Sequence, residues 1–205
     1  MRAFQRWLIV IAMWIISVSI VLADPSSFYI NEEWGFRIEQ PKGWYITESS
    51  EFINLLKEQK QYQKIGLLKD SGLIVTFTKF PFNSKDGFNP NITVSCRKVL
   101  LAVQPTKEQF IIYAKKTLKA LAPEGVDLPI KESETNGIIE MQASYEYGMA
   151  NDKQTITVVA LTALISNVQS DNYYVIVASC LKEDAEVLRN MLKESVESFQ
   201  ILEKK

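Results

Sequence analysis

Apolar and polar positions first follow a strand's period. Phe28-Tyr29-Ile30 and Phe36-Arg37-Ile38-Glu39 flank Glu33-Trp34-Gly35, and Pro41-Lys42-Gly43 ends the second run. That spacing predicts two short strands joined by a turn. Phe52, Leu55, Leu56 and Tyr62 then recur at helical intervals, which predicts an amphipathic helix from about Ser50 to Gln63. Leu73 to Phe80 and Ile92 to Val99 are rich in β-branched residues and read as strands. A second helix begins at Thr106, where Thr106 and Gln109 have the spacing of a capping box. Phe110, Tyr113, Ala114, Leu118 and Leu121 line one face of it, and Pro123 with Gly125 ends it.

Strands separated by turn signals follow. Asn136-Gly137 is a strong hairpin signal, and Ala150 to Lys153 and Ser166 to Asn172 mark two further reversals. The runs Ile156 to Ile165 and Tyr173 to Leu181 are apolar at both alternating sets of positions. A strand with one wet face alternates with polar residues, so these two need cover on both sides. A last helix carries Ala185, Leu188, Leu192, Val196 and Phe199 on one side, and Glu186, Arg189, Lys193 and Glu197 on the other. The pattern therefore predicts an α+β fold: an antiparallel sheet of about six to eight strands sandwiched between helices (α/β/α).

Residues 1–23 stand apart. Arg2 and Arg6 precede a stretch from Trp7 to Ala23 without any charge, and Val21-Leu22-Ala23 leads into the polar Asp24-Pro25. This is the three-part form of a secretory signal peptide cleaved after Ala23. The rival is an uncleaved anchor, but 17 residues span only about 25 Å as a helix against a membrane core of about 30 Å. The expected location is therefore exported, periplasmic or secreted, with inner-membrane anchoring as the alternative and membrane contact only through an uncleaved segment. Residues 24–205 suit one domain, long enough to bury roughly 70% of the unfolded surface.

Charge and composition narrow the chemistry. The net charge of −1 becomes −3 once Arg2 and Arg6 are removed, and no basic face is concentrated enough to predict nucleic-acid binding. With no histidine, Ser-His-Asp and Cys-His nucleophile systems lack their base. The usual zinc sites lack their commonest ligand, and no metal or cofactor is expected. Acid pairs such as Glu32-Glu33, Glu132 with Glu134, and Glu183-Asp184-Glu186 leave a carboxylate-based hydrolase as a minor reading. Cys96 and Cys180 fall on apolar alternating faces, as two buried small hydrophobes or as a disulfide favoured by an oxidising compartment. Trp34 and Trp44 read as packing for the first hairpin. The segment Phe80 to Pro90 carries three phenylalanines between its prolines and glycine. Phe82 and Phe88 are accordingly candidate partner-binding residues, unless the loop folds back over a sheet edge.

Several of these motifs resemble those of the PsbP-like (PsbP/Mog-type) superfamily. Gly35-Phe36-Arg37-Ile38-Glu39-Gln40-Pro41-Lys42-Gly43-Trp44 is similar to its opening strand–Pro–x–Gly–Trp motif. Asn89-Pro90-Asn91-Ile92-Thr93-Val94 resembles a later strand, and Tyr173 to Ile176 with Val196 to Phe199 resembles the C-terminal strand and helix. The resemblance implies an α/β/α sandwich and a non-catalytic accessory or binding role. The secretory segment places the chain nearest the envelope branch, which includes DcrB. Metal-binding histidines of some photosynthetic members have no counterpart here. The function expected is a non-enzymatic accessory or protein-binding module of the cell envelope, acting on an envelope protein. The alternative is a carrier of a small apolar ligand held between sheet and helix.

Overall fold

The computed structural model describes residues 28–58, 71–81, 88–98, 106–122, 128–150, 155–167 and 172–202. The leader, the far end of the first predicted helix, Phe82, Pro123 and Gly125 lie outside the described residues. Strand β1 (Phe28–Asn31) pairs antiparallel with β2 (Phe36–Glu39), as the turn at Glu33-Trp34-Gly35 predicts. In chain order there follow β3 (Tyr45–Glu48), α1 (Ser49–Glu58), β4 (Leu73–Thr78), β5 (Asn91–Lys98) and α2 (Lys107–Leu121). Next come β6 (Ile130–Thr135), β7 (Ile138–Ala150), β8 (Thr155–Asn167), β9 (Asn172–Leu181), α3 (Ala185–Glu197) and β10 (Gln200–Ile201).

Seven of the strands form one antiparallel sheet in the order β3–β4–β5–β9–β8–β7–β6. The two runs that are apolar on both faces, β8 and β9, lie near its centre. Their side chains divide cleanly. Val159, Ala163, Ile165, Tyr174, Ile176, Ala178 and Cys180 join one core with Leu188, Leu192 and Val196 of α3. Ala160, Leu164, Tyr173 and Val175 join the other with Phe110, Ala114 and Leu118 of α2. The sheet between helices is thus present. Each fully buried aliphatic side chain, Leu118 among them, contributes about 2–5 kcal/mol by the cost of truncating it to alanine.

One difference from the sequence reading concerns the first hairpin. It leaves the main sheet and, with β10, forms a separate sheet β1–β2–β10 laid over the α3 side. An aromatic cluster binds the two sheets. Phe36 stacks on Phe199 at 5.2 Å between ring centroids and meets Tyr174 edge-on at 5.7 Å. Tyr29 meets Phe77 edge-on at 5.8 Å. The Tyr174 hydroxyl donates to the Trp34 carbonyl, fixing the turn of the hairpin to a central strand.

Local signals behave as their chemistry requires. The Thr106 Oγ1 accepts from the Gln109 amide (3.3 Å) and the Gln109 Oε1 accepts from the Thr106 amide (2.9 Å). Such a cap stabilises a helix by about 1 kcal/mol. Asn136 and Gly137 both take positive φ (53° and 75°), the left-handed pair a type I′ hairpin needs between β6 and β7. Gly72 also has positive φ, and a Cβ there would lie 2.2 Å from the Cys96 carbonyl oxygen. Only glycine lets β4 start this close to β5.

Candidate functional site

The site grows from a strand that is wet on one face. On β7, Ile139, Met141, Ala143 and Tyr145 are buried against the α2 side, while Glu140, Gln142, Ser144 and Glu146 face the other way. On that other side α3 packs chiefly on β9, β8 and β2. The β6–β7 arm therefore projects past the helix, and a trough is left between them. The charged stripe of α3 forms its wall. Arg189, Lys193 and Glu197 follow one another at i, i+4 and i+8, one side of a helix.

Two hollows follow one another along this trough. The first, about 270 Å³, is floored by Val159, Leu161, Ala178, Cys180, Ala185 and Leu192. Lys131 of β6, Gln142 and Ser144 of β7, and Arg189 and Lys193 of α3 stand round its rim. No carboxylate lines it among the described residues. Lys193 reaches Glu197 at 3.5 Å. Among the described residues, Lys131 and Arg189 form neither an ion pair nor a hydrogen bond. The next wet position of β7 is closed off, because Glu146 binds Lys182 at 2.8 Å. The second hollow, about 420 Å³, is acidic instead, with Glu140 and Glu197 beside Ile138, Ile165, Val196 and Phe199. The chain thus offers a cationic rim above an apolar floor, with an acidic neighbour behind it. This can hold a small anion-bearing molecule.

The residues singled out from sequence lie elsewhere, with one exception. Cys180 sits at the base of the first hollow, and burial, helped by Asp184, pushes its thiol above the ordinary range. Cys96 is likewise buried, and the two sulfurs are not joined, so the disulfide alternative is corrected. The register explains why. Cys96 stands opposite Tyr174 in the β5–β9 pair, six positions along β9 from Cys180. Six residues of strand span about 20 Å, far beyond the roughly 7 Å between Cα atoms that a disulfide can bridge.

The aromatic loop is cinched at its neck. The Phe80 amide donates to the Asn89 Oδ1 (3.0 Å), and the Asn89 Nδ2 donates to the Phe80 carbonyl (2.9 Å). One step further in, the Lys79 amide donates to the Pro90 carbonyl. Phe80 is exposed, with the Lys79 ammonium 5.4 Å from its ring centre, and Phe88 is half-buried. Glu132 and Glu134 share the α2 face of β6, where Glu134 binds Lys107 and Glu132 lies 3.5 Å from Lys115. They tie a helix to a sheet edge. Trp44 is buried in the core under the hairpin, whereas Trp34 is partly exposed.

The sequence pattern places Arg189 and Lys193 on the polar side of the last helix and does not single out Lys131, Gln142 or Ser144. The available signal was the polar alternation of Glu140, Gln142 and Ser144 within an otherwise apolar strand. It marks an uncovered face beside the helix that bears Arg189.

No family model matches the chain, and no curated protein sequence is similar to it. Solved structures similar to it include cyanobacterial PsbP from Synechocystis (14% identity, 88% of this chain and 95% of that one, TM-score 0.49). Another is LpqN of Mycobacterium tuberculosis, involved in cell envelope biogenesis (16%, 88% and 87%, TM-score 0.48). A third is the Ran-binding protein Mog1p of Saccharomyces cerevisiae (15%, 88% and 97%, TM-score 0.46). These are proteins of the PsbP/Mog1 fold. The sequence motifs pointed to the same group. At such identities nothing of activity or partner passes from them to this chain.

Proposed function

We propose that residues 24–205 act as a non-enzymatic binding module of the cell envelope, and that the binding site is the first hollow beneath α3. The observation that carries this is the pairing of an apolar floor with Lys131 and Arg189, two cations without an ion-pair partner among the described residues. Leaving like charges together beside a hydrophobic recess costs stability, and an occupant of opposite charge offsets that cost. The envelope assignment rests on Arg2, Arg6 and the uncharged run to Ala23. The non-enzymatic part of the reading rests on the sequence, in which no histidine can serve as base. Native mass spectrometry of the chain purified from its own host tests the reading. A bound small molecule is expected, and it should be absent from Leu161→Trp, which fills the floor. Bare protein in both samples would count against the hollow as a ligand site.

A second reading, protein capture through the loop from Phe80 to Pro90, is favoured by the exposed Phe80 ring and the clamped neck. On this reading Phe82 and Phe88 are the anchors. Phe82→Ala and Phe88→Ala should abolish capture of an envelope partner at unchanged melting temperature. A large fall in melting temperature would assign the loop to the core instead.

A further inference from the structure

We infer that the ligand of the first hollow is a linear anionic amphiphile of medium chain length, with a carboxylate or phosphate head at the rim and its tail on the floor. The inference rests on the reading of that hollow as the binding site. Three observations define the occupant. Charge comes first: Lys131, Arg189 and Lys193 approach from β6 and from α3, on opposite sides of the trough, and no acid lines the hollow among the described residues. An anion between them meets donors from both walls, and Arg189 can engage a carboxylate or phosphate with two parallel N–H bonds.

The second observation is the floor. Val159, Ala178, Cys180, Ala185 and Leu192 are buried and Leu161 is half-buried, and none presents a charged group. A fully polar anion would leave this floor unused. An apolar tail covers it, and each buried methylene adds about 0.8 kcal/mol. Volume is the third. About 270 Å³, at roughly 30 Å³ per water-sized group, holds about nine such groups. A diacyl lipid is too large for it, whereas an eight-carbon carboxylate fits. Gln142 and Ser144 beside the cations supply further donors for the head group.

Lysine and arginine heads on exposed stems do not support the fold, so their removal leaves a testable protein. Titration calorimetry on the purified full chain, freed of any native occupant, would compare octanoate, octyl phosphate, 1-octanol and inorganic phosphate. Both octyl anions should bind, at least about tenfold more tightly than the alcohol or inorganic phosphate, and the difference should shrink as salt rises. The double change Lys131→Gln with Arg189→Gln should lower octanoate affinity by at least tenfold at unchanged melting temperature. The ratio of octanoate to octyl phosphate then tells which head is preferred. Equal binding of octanol and octanoate overturns the charge argument and leaves the hollow as an apolar site. Failure of all four probes, with a different molecule retained in the native mass spectrum, overturns the amphiphile inference alone. Failure of all four with no retained molecule overturns the hollow as well.

Discussion

Phe36→Ala is the sharpest test of how the two sheets are joined. Phe36 has no exposed surface and touches Tyr29, Tyr174 and Phe199, which belong to β1, β9 and the segment just before β10. Truncating a buried phenylalanine costs about 3–5 kcal/mol. In a domain of this size each kcal/mol lowers the melting temperature by about 2–4 °C. The expected fall is therefore about 6–20 °C. Phe28→Ala is the control, since Phe28 is 41% exposed and its main partner is the Arg37 guanidinium, 5.0 Å above its ring. It should cost no more than about 1 kcal/mol. Two signals would follow the melt. Circular dichroism reports the whole fold, while tryptophan fluorescence of residues 24–205 comes only from Trp34 and Trp44, both beside the small sheet. The two transitions should coincide in the parent chain. If Phe36→Ala shifted melting no more than Phe28→Ala does, or if fluorescence melted ahead of dichroism in the parent, the small sheet would be an appendage.

Two further outcomes follow. Cys96 and Cys180 should react with a thiol reagent only as the chain unfolds, and the intact mass should not change on reduction; rapid native labelling of either would contradict their burial. Burial, with the neighbouring Cys96 adding to it, pushes the Tyr174 phenol up from 10.0 to about 12. A group with a raised folded pKa contributes stability that is complete below its unfolded pKa and lost above it. The melting temperature should therefore hold steady up to about pH 10 and fall between pH 10 and about 12. Tyr174→Phe should start lower and fall less steeply, and a parallel fall in the two proteins would remove Tyr174 from the account.

What was legible in the sequence was local or one-dimensional. Thr106 and Gln109 announce a helix start because the cap is made within four residues. Asn136-Gly137 announces a hairpin because both residues tolerate positive φ. The two-sided apolarity of β8 and β9 announces helices above and below, since no other cover was available. What stayed hidden depends on distant partners. Gln200 and Ile201 are two residues with no period to read, and they become a strand only because β2 lies beside them. The trough combines Lys131, Gln142, Leu161, Ala178 and Arg189 from five separate elements. Its helix cations read only as the polar side of α3, because nothing in the helix alone shows that it stops short of β6 and β7.

The pairing of β2 with β10 also sets a clock. Arg37 binds Gln200 across 163 residues, and Asn91 of β5 meets Ser179 of β9 across 88. At a synthesis rate of about 5–20 residues per second, β2 waits roughly 10–30 s for its second neighbour to be made. Throughout that interval the apolar side chains of Phe36 and Ile38 have no permanent cover. So wide a separation of partners slows folding. It also leaves the small sheet incomplete until β10 exists.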